Sequence, residues 1–424
     1  MRPVSLINEA TLNFVRQHAD DDVRQIALRG AKAPDVDLTL ALQQIQGRQT
    51  ARRKLPTWAG CDRIIYPPHL NMEQCSSEQT ARYKLAIVQR LLKDNASFGG
   101  GFRGPTSCVD LTGGFGIDFT IMASAFDEAL YVEHDEGLVA IVNHNLPLLG
   151  VHHARTVCCD AATTLHGLSH ANLIFLDPAR RDQHGGRTYA LTDCTPDVLQ
   201  LRETLLEKAD IVMLKLSPML DWRKAMADLG REHVCEVHIV SVGGECKELL
   251  VIMSSQATGF TLFCSNNDEV WALNPYENYK LYENYSPQSP TLLYEPNASV
   301  MKAGCWAELS AAFHVSQIAP NSHLFLSEVP IADFPGRGFS IETSTTMNKR
   351  DLRRALQGIS QANITTRNFP LTPQQLRQRL RIKDGGETFI FATTDADNQH
   401  ILFVCHPLRN ATKTFSSDET SRME

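Results

Sequence analysis

The amino-acid sequence predicts an α/β protein: a mostly parallel sheet with an antiparallel hairpin at one edge, a helical region before it and a small α+β region after it. Two observations predict this. Between Thr106 and about Phe263, short apolar runs alternate with amphipathic stretches, the pattern of parallel strands joined by right-handed helical crossovers. At the end of that stretch, Glu236–Val242 and Glu248–Met253 flank a glycine-containing turn with no helix between them, which makes a hairpin. At about 100–200 residues per domain, a chain of 424 residues exceeds one compact core.

The elements follow in chain order. Up to about residue 100 the sequence reads as helices joined by polar turns. Ser76 is the expected N-cap of one helix, with Gln79 at the third position, and Ala81, Leu85, Val88 and Leu92 mark its buried face. Arg48, Arg52, Arg53 and Lys54 in this region read as a solvated helix end. Asp94-Asn95 and Gly99 to Gly101 set a boundary near residue 100. Buried strands are expected at Ser107–Leu111, Ala129–Glu133, Arg155–Cys158, Leu173–Leu176 and Ile211–Leu216, and a helix at Asp221–Leu229. Asn274-Pro275, Ser286-Pro287 and Ser289-Pro290 form a connector. In the last region Thr372, Pro373 and Gln375 open a helix carrying Leu376 and Leu380, and Asp384-Gly385-Gly386 turns into a strand at Thr388–Thr394. The polar tail after Arg409 is expected to fray.

Composition excludes several classes. The formal charge of −7 gives no global positive field, so a nucleic-acid partner must be served by a local patch. No apolar run is long enough to span a bilayer, and no secretory signal is visible, which points to the cytoplasm. The eleven cysteines form no CxxC pair and no zinc-ligand spacing, so no metal is expected and the thiols are expected to be reduced.

The chemistry gathers at the strand ends. Asp110 to Gly116 form a glycine turn between the first strand and an apolar helix, where a ligand can approach the backbone closely. The third glycine of a nicotinamide fingerprint is replaced by Phe119, and Asp110 would repel a pyrophosphate but suit the ammonium of an amino-acid moiety. The second strand ends in Glu133, whose carboxylate can accept both hydroxyls of a ribose. The third leads to Asp160-Ala161, an acceptor for an adenine amine, and the fourth ends in Asp177-Pro178-Ala179-Arg180-Arg181. Four successive strand ends carrying acids match the place where open α/β sheets bind ligands.

The series VDLTGGFGIDF, YVEHDEG, CCDAATTL and IFLDPARRD resembles motifs I to IV of class I S-adenosylmethionine-dependent methyltransferases, in order and at the usual intervals. The resemblance implies a Rossmann-like sheet with S-adenosylmethionine held by Asp110, Thr112, Gly114, Gly116, Glu133, Asp160, Ala161 and Asp177. Gly114 and Gly116 would contact the methionine part, Glu133 the ribose and Asp160 the adenine. Asp177, Pro178 and Arg180 would form the catalytic set. Three more stretches, NMEQCSSEQTARYK, YEPNASVMKAG and ITTRNFPLTPQQLRQRLRIKDGGETFIFATT, resemble bacterial methyltransferases with a ferredoxin-like insert and a C-terminal THUMP-like domain. The implied organisation is a helical region at 1–100, a methyltransferase domain at 101–270, a ferredoxin-like domain at 271–335, a THUMP-like domain at 336–410 and a flexible tail at 411–424. THUMP domains imply an RNA substrate, tRNA or rRNA.

The acceptor atom stays open at this level. Ala179 and Arg180 stand where amino-group enzymes carry a second proline and an aromatic residue. The Asp-Pro-Ala-Arg sequence resembles the 5-methyluridine enzymes, but Leu216-Ser217-Pro218 offers a serine where those need a cysteine nucleophile. Cys158 and Cys159 read as packing thiols. Asp177 could orient a nitrogen nucleophile and take its proton. Arg180 and Arg181 could hold a phosphate or pair with Asp182, the loop Gln183–Tyr189 could close over substrate, and Tyr189 could stack on a base. A basic cluster for RNA is expected from Lys349, Arg350, Arg353, Arg354, Arg367, Arg377, Arg379, Arg381 and Lys383, with Asp351 the single acid between them. The competing readings are a methyltransferase of a small molecule or protein, a cofactor-binding module without catalysis and, more distantly, a nicotinamide dehydrogenase.

Overall fold

The computed structural model describes residues 7–30, 34–93, 105–180, 191–276 and 291–408, and it divides into two compact units, Met1–Phe263 and Cys264–Glu424. The Gly99 to Gly101 run, Arg181, the loop Gln183–Tyr189, most of the connector and the tail after Arg409 lie outside the described residues.

The first unit opens with helices α1 (Glu9–Gln17), α2 (Val23–Arg29), α3 (Leu38–Lys54), α4 (Pro56–Ala59), α5 (His69–Gln74) and α6 (Glu78–Lys93). Asn8, Asp22 and Asp37 start the first three by accepting backbone N–H groups that the first helical turn leaves unpaired. The basic end of α3 is solvated at Arg52 and Arg53, as its composition suggests, but three of its side chains are also engaged. Arg48 pairs with Asp62, Arg52 pairs with Asp20, and Lys54 donates to the carbonyls of Met72 and Glu73 at 2.9 and 2.7 Å. The start of α6 also differs from expectation. Ser77 caps the helix, accepting the Thr80 N–H at 3.2 Å, while the Ser76 hydroxyl donates to Asp118 at 2.6 Å. The buried face is Ala81, Lys84, Ile87, Val88 and Leu91, with Leu85 and Leu92 half-buried beside it. A lysine occupies the middle of that face because acids lie beneath it, a fact the hydrophobic pattern of the helix alone does not contain.

The α/β part runs β1 (Ser107–Asp110), α7 (Ile117–Met122), β2 (Glu128–Glu133), α8 (Glu136–Leu148), β3 (Ala154–Cys158), α9 (Ala161–Gly167), β4 (Ala171–Leu176), β5 (Ala179–Arg180), β6 (Cys194–Thr195), α10 (Val198–Lys208), β7 (Ala209–Leu216), α11 (Trp222–Leu229), β8 (Val234–Val242) and β9 (Glu245–Met253). The main strands lie in the order β8-β9-β7-β4-β1-β2-β3, while β5 and β6 form a separate antiparallel pair. From β7 to β3 every pairing is parallel, and β9 is antiparallel to both β7 and β8. All five expected strands, the helix capped by Asp221 and the hairpin are present, but β3, expected to be buried, is an edge strand with Arg155, Val157 and Cys158 exposed. Ile87, Val88 and Leu91 of α6 share one core with Phe119, Tyr131, Phe175, Met213 and Ile252, so this helix is packed into the sheet layer. Burying each such side chain contributes about 1.5–3 kcal/mol.

The division between the units falls within β10 (Thr261–Asn266), which is followed by β11 (Glu269–Leu273). The second unit continues with β12 (Leu292–Pro296), α12 (Ala298–Ala303), α13 (Trp306–Phe313), β13 (Ser316–Gln317), β14 (Phe325–Ser327), β15 (Gly336–Thr346), α14 (Lys349–Ala355), β16 (Asn363–Thr366), α15 (Pro373–Leu380), β17 (Phe389–Thr394) and β18 (His400–Pro407). Its sheet runs β13-β14-β12-β15-β18-β17-β16. The capping box of Thr372 and Gln375 starts α15 as expected, with Leu376 buried. At the β12/β15 junction, a Cβ on Gly336 would lie 2.2 Å from the Glu295 carbonyl oxygen and 2.8 Å from the Pro296 Cα. Neither backbone atom can step aside. Gly336→Ala is expected to destabilise this unit by at least the roughly 1–3 kcal/mol of ordinary overpacking, and an unchanged urea midpoint would show that the strands tolerate the spacing.

Candidate active site

The carboxyl ends of β1, β2, β3 and β4 define the site. The loop after β1 passes so close to β2 that a Cβ on Gly113 would lie 2.0 Å from the Tyr131 ring, and the Gly113 N–H donates to the Val132 carbonyl at 2.9 Å. At the start of α7, Gly116 has a φ of +74°, a left-handed conformation that favours glycine. The Tyr131 hydroxyl donates to the Gly114 carbonyl at 2.6 Å, and the Gly114 N–H donates to Glu133 Oε2 at 2.9 Å. Glu133 Oε1 accepts the N–H groups of His134 and Asp135 at 2.9 and 3.0 Å. Three backbone donors thus fix one carboxylate and tie it to the glycine loop.

The other predicted residues take different places. Asp110, expected to meet a ligand ammonium, is 2% exposed and accepts the Thr112 N–H at 2.9 Å, so it braces the loop from inside. Burial pushes its pKa well above the usual carboxylate range, against the Thr112 hydrogen bond and with the repulsion of Asp118, Asp177 and Glu133. The Thr112 hydroxyl accepts the Asp177 N–H at 2.6 Å, joining the ends of β1 and β4. Asp160 caps α9 through the Thr163 N–H at 2.8 Å, which holds its carboxyl below the usual range, and Ala161 begins that helix. Cys158 is exposed rather than packed. Pro178 is buried, and β5 places the Arg180 backbone opposite Cys194. The side chain of Arg180, like Arg181 and Tyr189, lies outside the described residues.

Four side chains absent from the sequence-based site stand directly behind it. Lys215 of β7 donates to Asp177 Oδ2 and lies 3.8 Å from Asp118. Lys84 of α6 reaches Asp118 at 3.1 Å and Glu248 of β9 at 2.7 Å. Burial pulls the Lys215 pKa down, but Asp177, Asp118 and Glu248 outweigh it and hold the ammonium above its usual value. Asp118 is likewise penalised by burial yet held below the usual carboxylate range by Lys84 and Lys215, whereas burial pushes Glu248 up. The signal in the sequence is a lysine inside an otherwise apolar strand, IVMLKL, and another at core spacing on an amphipathic helix.

A crystal structure from Porphyromonas gingivalis W83, described as a candidate methyltransferase, matches this fold with a TM-score of 0.81 at 31% identity, over 95% of this chain and 100% of that one. The chain belongs to that methyltransferase family. Family models match residues 292–335 as a ferredoxin-like domain and 336–407 as THUMP domain-like. This is a class I methyltransferase with ferredoxin-like and THUMP-like parts, as its motifs imply. The two matched parts share one sheet, since β12 of the first pairs with β15 of the second. A class I S-adenosylmethionine-dependent candidate methyltransferase from Listeria monocytogenes has 8% identity and a TM-score of 0.39 over 61% of this chain and 94% of that one. A candidate RNA methyltransferase from Pyrococcus horikoshii has 16% identity and 0.34 over 48% and 98%. At those scores neither bears on the substrate. No curated protein matches the sequence.

In this methyltransferase the donor set fits a nucleoside-bearing ligand. The loop without side chains at Gly113 and Gly114 follows β1, Glu133 ends the neighbouring β2 and Asp160 follows β3 beyond it, so two carboxylates that accept hydroxyl or amine hydrogens stand in succession to one side of the loop.

The predicted basic residues divide into two groups. Lys349, Arg350, Arg379, Arg381 and Lys383 are exposed, as are Arg353 and Arg354. Arg367 donates to Glu295 at 3.1 Å, and Arg377 pairs with Asp384 at 2.6 Å and donates to the Ala362 carbonyl at 2.9 Å. The inner sides of α14 and α15 contribute Leu352, Leu356, Leu376 and Leu380 to one hydrophobic cluster, which brings the two basic helices into a single layer.

Proposed function

We propose that this enzyme transfers a methyl group from S-adenosylmethionine to a nucleotide in structured RNA, tRNA or rRNA, in the cytoplasm. Gly114 and Gly116 hold the methionine part, Glu133 the ribose, and Asp160 and Ala161 the adenine, with Asp110 and Thr112 shaping the loop. When bound, the sulfonium supplies an activated methyl group. What the chain's own residues add is placement: Asp177 is fixed at its N–H by Thr112 and at its carboxylate by Lys215, and Pro178 stiffens the turn that follows. Holding reactants in line is worth up to roughly 7–11 kcal/mol of barrier.

The observation that carries the RNA reading is the set of exposed basic residues on α14, at the end of α15 and in the turn after it, in the part matched as THUMP domain-like and in a chain of net charge −7. Those residues suit phosphate contacts. If five of them reach phosphates, log K falls with log salt at a slope of about −3.5 on single strands, and the triple change Arg379→Glu, Arg381→Glu, Lys383→Glu flattens it by about 2. Filter binding over a salt series measures both. The substrate itself is tested with radiolabelled S-adenosylmethionine and total RNA from a strain lacking the protein. Label entering protein and not RNA would overturn the RNA assignment, and turnover untouched by the triple change would favour a small-molecule or protein substrate.

A further inference from the structure

Five ionisable side chains, from α6, α7, β7, β9 and the turn after β4, form a column that runs from the core to the mouth of the site. Side-chain exposure rises along it, from 0% at Lys84 and 3% at Glu248 to 10% at Asp118, 12% at Lys215 and 38% at Asp177. Asp177 stands at the open end, and Lys215 is hydrogen-bonded to it. Resting on the RNA reading above, we propose that the methyl acceptor is a hydroxyl, the ribose 2′-hydroxyl, and that Lys215 is the cation that stabilises its oxygen during transfer.

Charge development separates the acceptors. A pyrimidine carbon needs a thiol nucleophile, and Ser217 stands at the end of β7. A neutral amine gains positive charge as it attacks the methyl, and an ammonium hydrogen-bonded to the orienting carboxylate opposes that charge. A hydroxyl behaves in the opposite way, because it sheds its proton and concentrates negative charge on oxygen, which a fixed ammonium stabilises.

Lys215 has donor capacity for this role. An ammonium carries three N–H donors; one goes to Asp177, and Asp118 at 3.8 Å is beyond hydrogen-bonding distance. Asp118 is itself held by Ser76 at 2.6 Å and Lys84 at 3.1 Å, so it is not drawn onto Lys215. Lys84 therefore serves as an inner support, and Lys215 gives one of its three N–H donors to Asp177 at the more open end of the column.

The step balances as follows. The oxygen–carbon bond forms as the carbon–sulfur bond breaks, and the electron pair of the broken bond stays on sulfur, leaving a thioether. The hydroxyl proton passes to the Asp177 carboxylate and from there to water. Lys215 remains protonated throughout and acts as a donor, not a base.

The test reads the product. RNA labelled from radioactive S-adenosylmethionine is hydrolysed in alkali, which cleaves each linkage through its free 2′-hydroxyl. Label recovered in alkali-stable dinucleotides supports the inference. Label in mononucleotides overturns it while leaving the RNA reading intact, and no label in RNA overturns both. This product assay stands whether or not a variant folds. Lys215→Met is expected to lower kcat about 100-fold while RNA KM and the calorimetric Kd for S-adenosylmethionine stay within about threefold, with partial rescue by Lys215→Arg. Wild-type turnover in Lys215→Met, or an equal loss of donor binding, would overturn the role of Lys215.

Discussion

Lys84→Met is expected to destabilise the Met1–Phe263 unit by about 3–5 kcal/mol, the cost of removing one partner from a buried ion pair. Lys84 is completely buried, and its ammonium answers two carboxylates, Asp118 at 3.1 Å and Glu248 at 2.7 Å. A methionine fills similar space but leaves both acids in the interior. Asp118 keeps Ser76 and Lys215, whereas Glu248 loses its closest cation. The pH dependence follows from that difference. Burial already raises the Glu248 pKa above its ordinary 4.5, and the substitution raises it further. A carboxyl raised on folding favours the folded state fully below its unfolded value and loses that contribution as pH climbs through the folded value. The deficit of Lys84→Met should therefore be small near pH 4.5 and grow toward neutrality. Urea unfolding at two pH values measures it. The double substitution Lys84→Met, Glu248→Met should recover much of the loss, because a well-packed apolar pair is often no worse than a buried ionic one. A deficit independent of pH would mean that packing, not charge, holds α6 to the sheet.

The same network marks where the sequence stops being legible. The strands could be read because each is a short apolar run, and the acids at their ends because chain direction and sheet topology put successive strand ends on one edge. Asp110, which its sequence position places toward the ligand, turns inward, because a residue at the last position of a strand can point to either side of the loop that follows. Lys84 and Lys215 do not stand out in the sequence because their partners lie far off in it, Glu248 being 164 residues from Lys84. Periodicity assigns a face to a helix but does not say which side chains wait beneath that face. In the THUMP-like part, Arg367 and Arg377 looked identical to their basic neighbours. Only the fold reveals that Glu295, 72 residues away, and Asp384 have already engaged them.

Glu133→Gln is expected to weaken S-adenosylmethionine binding by roughly tenfold to a hundredfold, about 1.5–3 kcal/mol for a hydrogen bond to a charged group. The substitution is nearly isosteric, so lost volume is not the cause. Glu133 accepts from backbone on both oxygens: the Gly114 N–H on one, and the His134 and Asp135 N–H groups on the other. A glutamine can place its oxygen on only one of those sides. Its NH2 group must face N–H donors on the other, whichever way the amide turns. If the oxygen stays with His134 and Asp135, the amide pushes Gly114 away and opens the loop. If it turns to Gly114, the N–H groups of His134 and Asp135 lose their acceptor ahead of α8. Both routes damage donor binding, while the core beneath is untouched, so the melting temperature should move far less than it does in Lys84→Met. Isothermal calorimetry with S-adenosylmethionine and with S-adenosylhomocysteine should register the same loss, since the ribose contact proposed for Glu133 lies in the part the two ligands share. Full affinity in Glu133→Gln would place the nucleoside elsewhere on the sheet edge, and the assignments of Asp160 and the glycine loop would fall with it.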